Sequence, residues 1–269
     1  MTTDMQSLKS RLRDTWVAGD FGQIAKSVAP AGEEFIQRLD LKPGTRVLDV
    51  ACGTGNTAVP AARNGANVTG VDIAANLLEQ ARSRAEAEGV KARFDVGDAE
   101  DLPYADASFD IVISMFGAMF APRPQVTANE LKRVCRSGGL VTMANWTPEG
   151  FVGKMFITNA KHVPPPPGMP SPLLWGTEDA VRERFKDGIA DIRFNRIRVY
   201  MSFPFSPPEV VQHFRTYFGP TVMAFGKLSP EEQKAFSDDL ERIWTENNIA
   251  PDGTTRVESE YLEVRATKA

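Results

Sequence analysis

Residues 47 to 58 read VLDVACGTGNTA, an apolar run that stops abruptly at two glycines one residue apart. The spacing Gly53-Thr54-Gly55-Asn56-Thr57-Ala58 fits G-x-G-x-x-G/A, a turn whose glycines let backbone approach a ligand as a strand hands over to a helix. The winding then repeats. Apolar strand candidates at 46–50, 67–72, 91–96, 110–115 and 140–146 alternate with helical patterns, of which 58–64 and 76–88 end at Gly65 and Gly89, as helix C-caps do. A chain built this way is restricted to a parallel sheet wrapped by helices.

The rest of the 269-residue chain is read around that core. Two short helices are expected at 8–16 and 33–39, joined by Gly19-Asp20-Phe21-Gly22. After the core, the stretch from His162 to Trp175, with Pro164 to Pro167 inside it, reads as a stiff extended crossing. Further strands are expected at 192–203 and 261–266. The residues between them are too many for a plain loop, and Ser206-Pro207-Pro208-Glu209 and Ser229-Pro230-Glu231-Glu232 are capping boxes with proline at the first helical position. Phe236, Leu240, Ile243 and Trp244 then recur at helical spacing, so this stretch is read as helices with an apolar face.

Composition removes several classes of partner. Hydrophobic residues make up 42% and charged residues 25%, ordinary for a folded domain. The net charge of −4, with basic residues scattered, leaves no footprint for nucleic acid. No stretch is long and apolar enough for a membrane span and the N-terminus lacks an apolar signal core, so the expectation is a cytoplasmic protein with no membrane span. Two cysteines and two histidines make a poor ligand set, and neither a disulfide nor a metal is expected.

The choice of ligand turns on Asp49. A carboxylate within an apolar strand is expensive unless something offsets it, and a pyrophosphate over the same turn would add like-charge repulsion. A cationic ligand group is favoured instead, which disfavours NAD and suits S-adenosylmethionine, with its ammonium and sulfonium. Asp72 closes the second strand about 20 residues beyond the turn, where a carboxylate can accept both ribose hydroxyls. That acid supports a nucleoside without choosing between the two cofactors.

With these residues the chain resembles the class I S-adenosylmethionine-dependent methyltransferases over at least residues 44–146, and is similar in particular to the branch methylating small molecules such as quinone precursors. Val47-Leu48-Asp49-Val50-Ala51-Cys52-Gly53-Thr54-Gly55 matches the first motif, Val68-Thr69-Gly70-Val71-Asp72-Ile73-Ala74 the second, and Gly97-Asp98-Ala99-Glu100-Asp101-Leu102-Pro103 the third. Ser108-Phe109-Asp110-Ile111-Val112 and Leu131-Lys132-Arg133-Val134 with Ser137-Gly138-Gly139 match the later segments. The resemblance implies a Rossmann-like doubly wound α/β fold with a seven-stranded sheet, mostly parallel, whose last strand is antiparallel and preceded by a helical cap insertion.

It further implies that S-adenosylmethionine is held by Asp49, Ala51, Gly53, Gly55, Asp72, Ile73, Asp98, Ala99 and Ser114, with Trp16 and Phe21 closing over it. The organisation expected is one methyltransferase domain over 1–269: N-terminal helices at 1–43, the cofactor core at 44–146, a proline-rich crossing and helix at 147–190, and the cap at 206–259.

The acceptor is expected to be a small, apolar or aromatic metabolite. After strand four the chain reads Ser114-Met115-Phe116-Gly117-Ala118-Met119-Phe120, not the Asn/Asp-Pro-Pro-aromatic motif of the branches that methylate amide and nucleobase nitrogen. Phe116, Phe120, Trp146 and Phe218 are the candidate acceptor contacts, with Met119, Phe151 and Met155 as further apolar lining. His162, following strand five, is the candidate general base ahead of His213. Cys52 is read as a small turn residue and not a nucleophile. An NAD-dependent oxidoreductase or a non-catalytic S-adenosylmethionine-binding sensor are the competing readings.

Overall fold

The computed structural model describes residues 2–166 and 168–269, so Pro167 of the proline run lies outside the described residues. Seven strands, β1 (Arg46–Val50), β2 (Asn67–Asp72), β3 (Ala92–Val96), β4 (Phe109–Met115), β5 (Cys135–Trp146), β6 (Ile189–Phe203) and β7 (Thr255–Lys268), form one sheet. Their order is β3-β2-β1-β4-β5-β7-β6. Pairs β1–β2, β1–β4, β2–β3 and β4–β5 are parallel, whereas β7 runs antiparallel to both β5 and β6. The expected doubly wound α/β sheet with an antiparallel last strand is the fold found.

The helices in chain order are α1 (Thr2–Val17), α2 (Phe21–Ala25), α3 (Ala29–Gln37), α4 (Ala58–Arg63), α5 (Ala75–Ala87), α6 (Pro124–Val134), α7 (Phe151–His162), α8 (Glu178–Arg184), α9 (Pro207–Tyr217), α10 (Gly219–Phe225) and α11 (Pro230–Glu246). Strand β1 reverses order between β2 and β4, so the carboxyl ends of β1 and β4 bound the crevice in which open sheets of this kind bind ligands. Val47, Leu48 and Val50 are fully buried on β1, as expected of a strand covered on both faces.

Two strands run longer than their hydrophobic patterns. β5 starts at Cys135 and not at 140, and β7 spans Thr255–Lys268 where only 261–266 reads as strand. The additional β7 residues alternate buried and exposed against β6, and strand pairing, more than apolar content, holds them. The helical insertion therefore ends before Thr255.

Within that insertion both capping boxes form. Glu209 accepts from the Ser206 backbone N–H, and Glu232 from that of Ser229, each at 2.8 Å. α11 buries Phe236, Leu240, Ile243 and Trp244, the face read from its periodicity. It packs on α9 and α7, and Trp244 meets Phe151 with ring centroids 4.5 Å apart. Among the described residues no helix is long and apolar enough to cross a membrane.

Candidate functional site

A cavity of about 1080 Å3, counting its open mouth, lies at the carboxyl ends of β1, β2 and β4 beneath α1 and α2. Its wall has two chemistries. Lys9, Gly53, Thr54, Asn56, Asp72 and Asp98 give it polar groups, whereas Trp16, Phe21, Met115, Phe116, Phe120 and Pro122 give it an apolar and largely aromatic surface.

The backbone around this cavity is held in unusual conformations. Ala51 and Phe116, neither a glycine, have φ of 55° and 59°, in the left-handed region, and both line the wall. Such residues are strained by about 1–3 kcal/mol each and persist where the surrounding structure fixes them. Gly117 makes that possible: a β-carbon there would fall 2.4 Å from the Ala51 carbonyl oxygen, so the β1 and β4 turns touch only because glycine is present. Ser114 fastens the same junction, donating to the Val50 carbonyl at 2.8 Å and accepting from the Ala118 N–H at 2.9 Å.

Asp72 lines the wall at the end of β2. Its carboxylate accepts from the backbone N–H groups of Gly53 and Ala74, each at 2.8 Å, one per oxygen. Burial pushes its pKa up, and these amide bonds, with that of Ile73, pull against the shift. Lone pairs remain on both oxygens, so the group can accept a pair of neighbouring hydroxyls.

Asp49 is 0% exposed and does not reach the cavity wall. Thr57 donates to its Oδ2, while Oδ1 has no partner. Burial, assisted by the charge of Asp72, raises its pKa to about 7 against the Thr57 bond. A buried carboxylate with one orphaned oxygen, one shell behind the glycine turn, is a group for which a nearby cation or a bridging water is favourable. That donor set fits the ammonium end of S-adenosylmethionine and not a pyrophosphate.

Asp98 carries a feature the sequence did not disclose. Lys9 of α1 reaches across to it and to Glu100, with Nζ 2.5 Å and 2.7 Å from their carboxylate oxygens. Burial lowers the Lys9 pKa, but the bonds to Asp98 and Glu100 outweigh it and the ammonium is held above its ordinary value. Glu100, buried, also takes the Arg123 guanidinium at 2.8 Å. Lys9, Leu12 and Trp16 thus form one cavity-facing stripe on α1 at helical spacing.

The structure places Ala51, Gly53, Asp72, Ile73, Asp98, Ala99, Trp16, Phe21, Phe116 and Phe120 on the cavity wall, together with Cys52. Burial and the nearby charges of Asp49 and Asp72 push the Cys52 thiol well above its ordinary range, which suits packing and not nucleophilic attack.

Several expected contacts lie elsewhere. Gly55 faces α5, where a β-carbon would meet Val59 at 3.1 Å and Ala81 at 3.4 Å, so it serves the close packing of helix on turn. Ser114 is fully enclosed in the β1–β4 junction. Trp146 stands behind the wall, stacked on Phe116 with ring centroids 3.8 Å apart, and Phe218 backs Trp16 and Phe21 at 6.1 Å and 6.2 Å.

His162 is corrected outright in position. It ends α7, where its Nε2 lies 2.9 Å from Asp239 and its ring packs on Phe236, and it is not on the wall. α7 starts near the end of β5 but runs for 12 residues, carrying its last side chain about 18 Å along the helix. His213 sits among Phe203, Phe205 and Tyr217.

Against known proteins, a family described as "Methyltransferase domain" matches residues 48–143. The chain is 41% identical to an uncharacterized protein of Mycobacterium tuberculosis across 86% of this chain and 85% of that one. It is 37% identical to the 2-methyl-6-phytyl-1,4-hydroquinone methyltransferase of Synechocystis across 49% of this chain and 42% of that one. In fold it is similar to the YcgJ protein of a Bacillus, with a TM-score of 0.60 at 18% identity, covering 88% of this chain and 97% of the other.

Proposed function

The chain belongs to the class I S-adenosylmethionine-dependent methyltransferases, and we propose that it methylates a small, apolar and aromatic metabolite inside the cavity beneath α1. The observation that carries this reading is that one cavity wall combines the polar groups of the glycine turn, Asp72 and Asp98 with an aromatic lining. S-adenosylmethionine, when bound, supplies an activated methyl group on a sulfonium.

The chain's own residues do the rest by position. Asp72 accepts from the ribose, Ile73 and Ala99 bracket the adenine, Asp98 takes its amino group, and Asp49, from behind the wall, answers the ammonium by its charge or through a bridging water. Phe116 and Phe120 form the acceptor face, and Trp146 and Tyr261 hold the Phe116 ring by stacking and edge contacts at 3.8 Å and 5.4 Å. A rigid aromatic wall orients a planar acceptor and excludes water, which are the principal contributions a displacement reaction asks of its protein. The relative that acts on a hydroquinone agrees with an acceptor of that chemical kind.

The N-terminal helices cover the cofactor, and α9 to α11 form a cap that supports this cover through Phe218. The test is transfer of labelled methyl from S-adenosylmethionine into a fractionated metabolite extract. Label entering apolar, aromatic fractions supports the reading. Label entering only polar amines contradicts the acceptor class, and cofactor binding with no transfer to any fraction would indicate a sensor.

A further inference from the structure

Arg184, the last residue of α8, is only 7% exposed. Its guanidinium lies over the Trp175 indole, 4.3 Å from the ring. Its Nη1 and the Trp175 Nε1 are both buried without a hydrogen-bond partner. Among the described residues no carboxylate forms an ion pair with Arg184; of the three acids on the same helix, Glu178 pairs with Arg182 and Glu183 with Lys186, and Asp179 forms no ion pair.

Several other arginines are paired. Arg38, Arg46, Arg63 and Arg133 each pair with a carboxylate, and in each the pKa is raised. For Arg184 burial acts alone and lowers it to about 10, which still leaves the side chain charged at neutral pH. A buried cation with no counter-charge, beside a second buried donor with no acceptor, is costly unless something outside the chain completes it. Contact with the indole holds the guanidinium in place and leaves Nη1 without a partner, and a guanidinium edge matches the two oxygens of a carboxylate or phosphate.

We propose that Arg184 and Trp175 form a binding site for a small oxyanion, of the carboxylate or phosphate type. The site lies one layer behind the acceptor wall. The turn Pro172–Gly176 packs on the turn Ala118–Phe120 and on β5, and Gly176 approaches the Trp146 carbonyl so closely that a β-carbon would sit 2.1 Å from its oxygen. Trp146 in turn stacks on Phe116. An anion at Arg184 therefore braces the segment that backs the aromatic lining of the cavity, whatever the acceptor is.

The test is thermal unfolding of the full chain in a zwitterionic buffer free of phosphate and carboxylates, with ionic strength held by sodium chloride. Inorganic phosphate is titrated in one arm and acetate in the other. The Tm of the wild type is expected to rise by about 3 °C or more at saturation in at least one arm, and the arm that responds identifies phosphate or carboxylate as the source. Arg184→Met is expected to show no rise, and Arg184→Lys, which keeps charge but loses the fork, a smaller one. Should Arg184→Met not fold, Arg184→Lys and Trp175→Phe carry the comparison, each with a reduced shift. A flat wild-type response in both arms, or an equal rise in the variants, overturns the proposal.

Discussion

Thr57 donates its hydroxyl to Asp49 at 2.5 Å, and among the described residues it is the one side chain that bonds this fully buried carboxylate. With its pKa raised from 3.8 to about 7, Asp49 keeps a proton in the folded chain that the unfolded chain has released. Between those values a rise in pH favours unfolding, by up to about 4 kcal/mol in total, and above about pH 7 both states are ionised and the effect levels off. Urea denaturation at pH 5 and pH 8 should therefore show the cofactor-free wild type less stable at pH 8, and Asp49→Asn with a smaller difference. A cationic ligand favours ionised Asp49, so cofactor affinity should rise towards pH 7, with proton release measurable by calorimetry in buffers of different ionisation enthalpy.

Asp72→Ala should weaken binding of S-adenosylhomocysteine by about 1.5–3 kcal/mol, a factor of ten to a hundred or more. The same carboxylate accepts from Gly53 and Ala74, so part of the loss comes from a looser glycine turn. Asp72→Asn, which keeps one acceptor oxygen, should fall between wild type and alanine in calorimetry. Unchanged affinity in a folded alanine variant would remove Asp72 from the cofactor site.

Lys9→Met should release the first helix from the loop after β3. The ammonium is partly exposed, so the pair is worth about 1 kcal/mol or less, and global stability should change little. Limited proteolysis should nevertheless cut residues 2–17 faster, and S-adenosylhomocysteine should protect the wild type more than the variant. Equal cleavage rates would show that the other contacts of α1, its packing on α10 among them, hold it down without Lys9.

His162→Asn should leave the pH dependence of methyl transfer unchanged, because the ring is engaged with Asp239 and Phe236 and does not line the cavity. Loss of that contact should lower stability by about 1 kcal/mol, read as a small fall in Tm. A pH limb that disappears in the variant would return His162 to the chemistry.

The sheet was legible because buried parallel strands are apolar runs, and because Gly53, Gly65 and Gly89 mark the places where the chain turns. The polar part of the site was legible for a related reason: Asp49 and Asp72 are charges in places where charge is costly, and such places are few. Lys9 was not, since a lysine on an amphipathic helix reads as a solvated charge and its partner Asp98 is 89 residues away. Phe218 and Trp146 show a second limit. Sequence marks them as apolar and aromatic, but the difference between a wall and the layer behind it is set by tertiary packing. His162 shows a third, in that a position following strand five fixes where a helix begins and not where its far end points.

The assignment of the aromatic lining to the acceptor is tested most directly by Phe120→Ala, once an acceptor has been identified by labelled transfer. Phe120 lines the wall and packs edge-on to Trp16 at 5.0 Å and to Phe156 at 5.6 Å. Kinetics and calorimetry on the same folded variant should give an acceptor KM raised, or kcat/KM lowered, by about tenfold or more, equivalent to about 1.4 kcal/mol or more, with the Kd for S-adenosylhomocysteine within about twofold of wild type. An unchanged acceptor KM and kcat/KM, or an equal loss of cofactor and acceptor binding, would contradict the assignment of the aromatic lining to the acceptor.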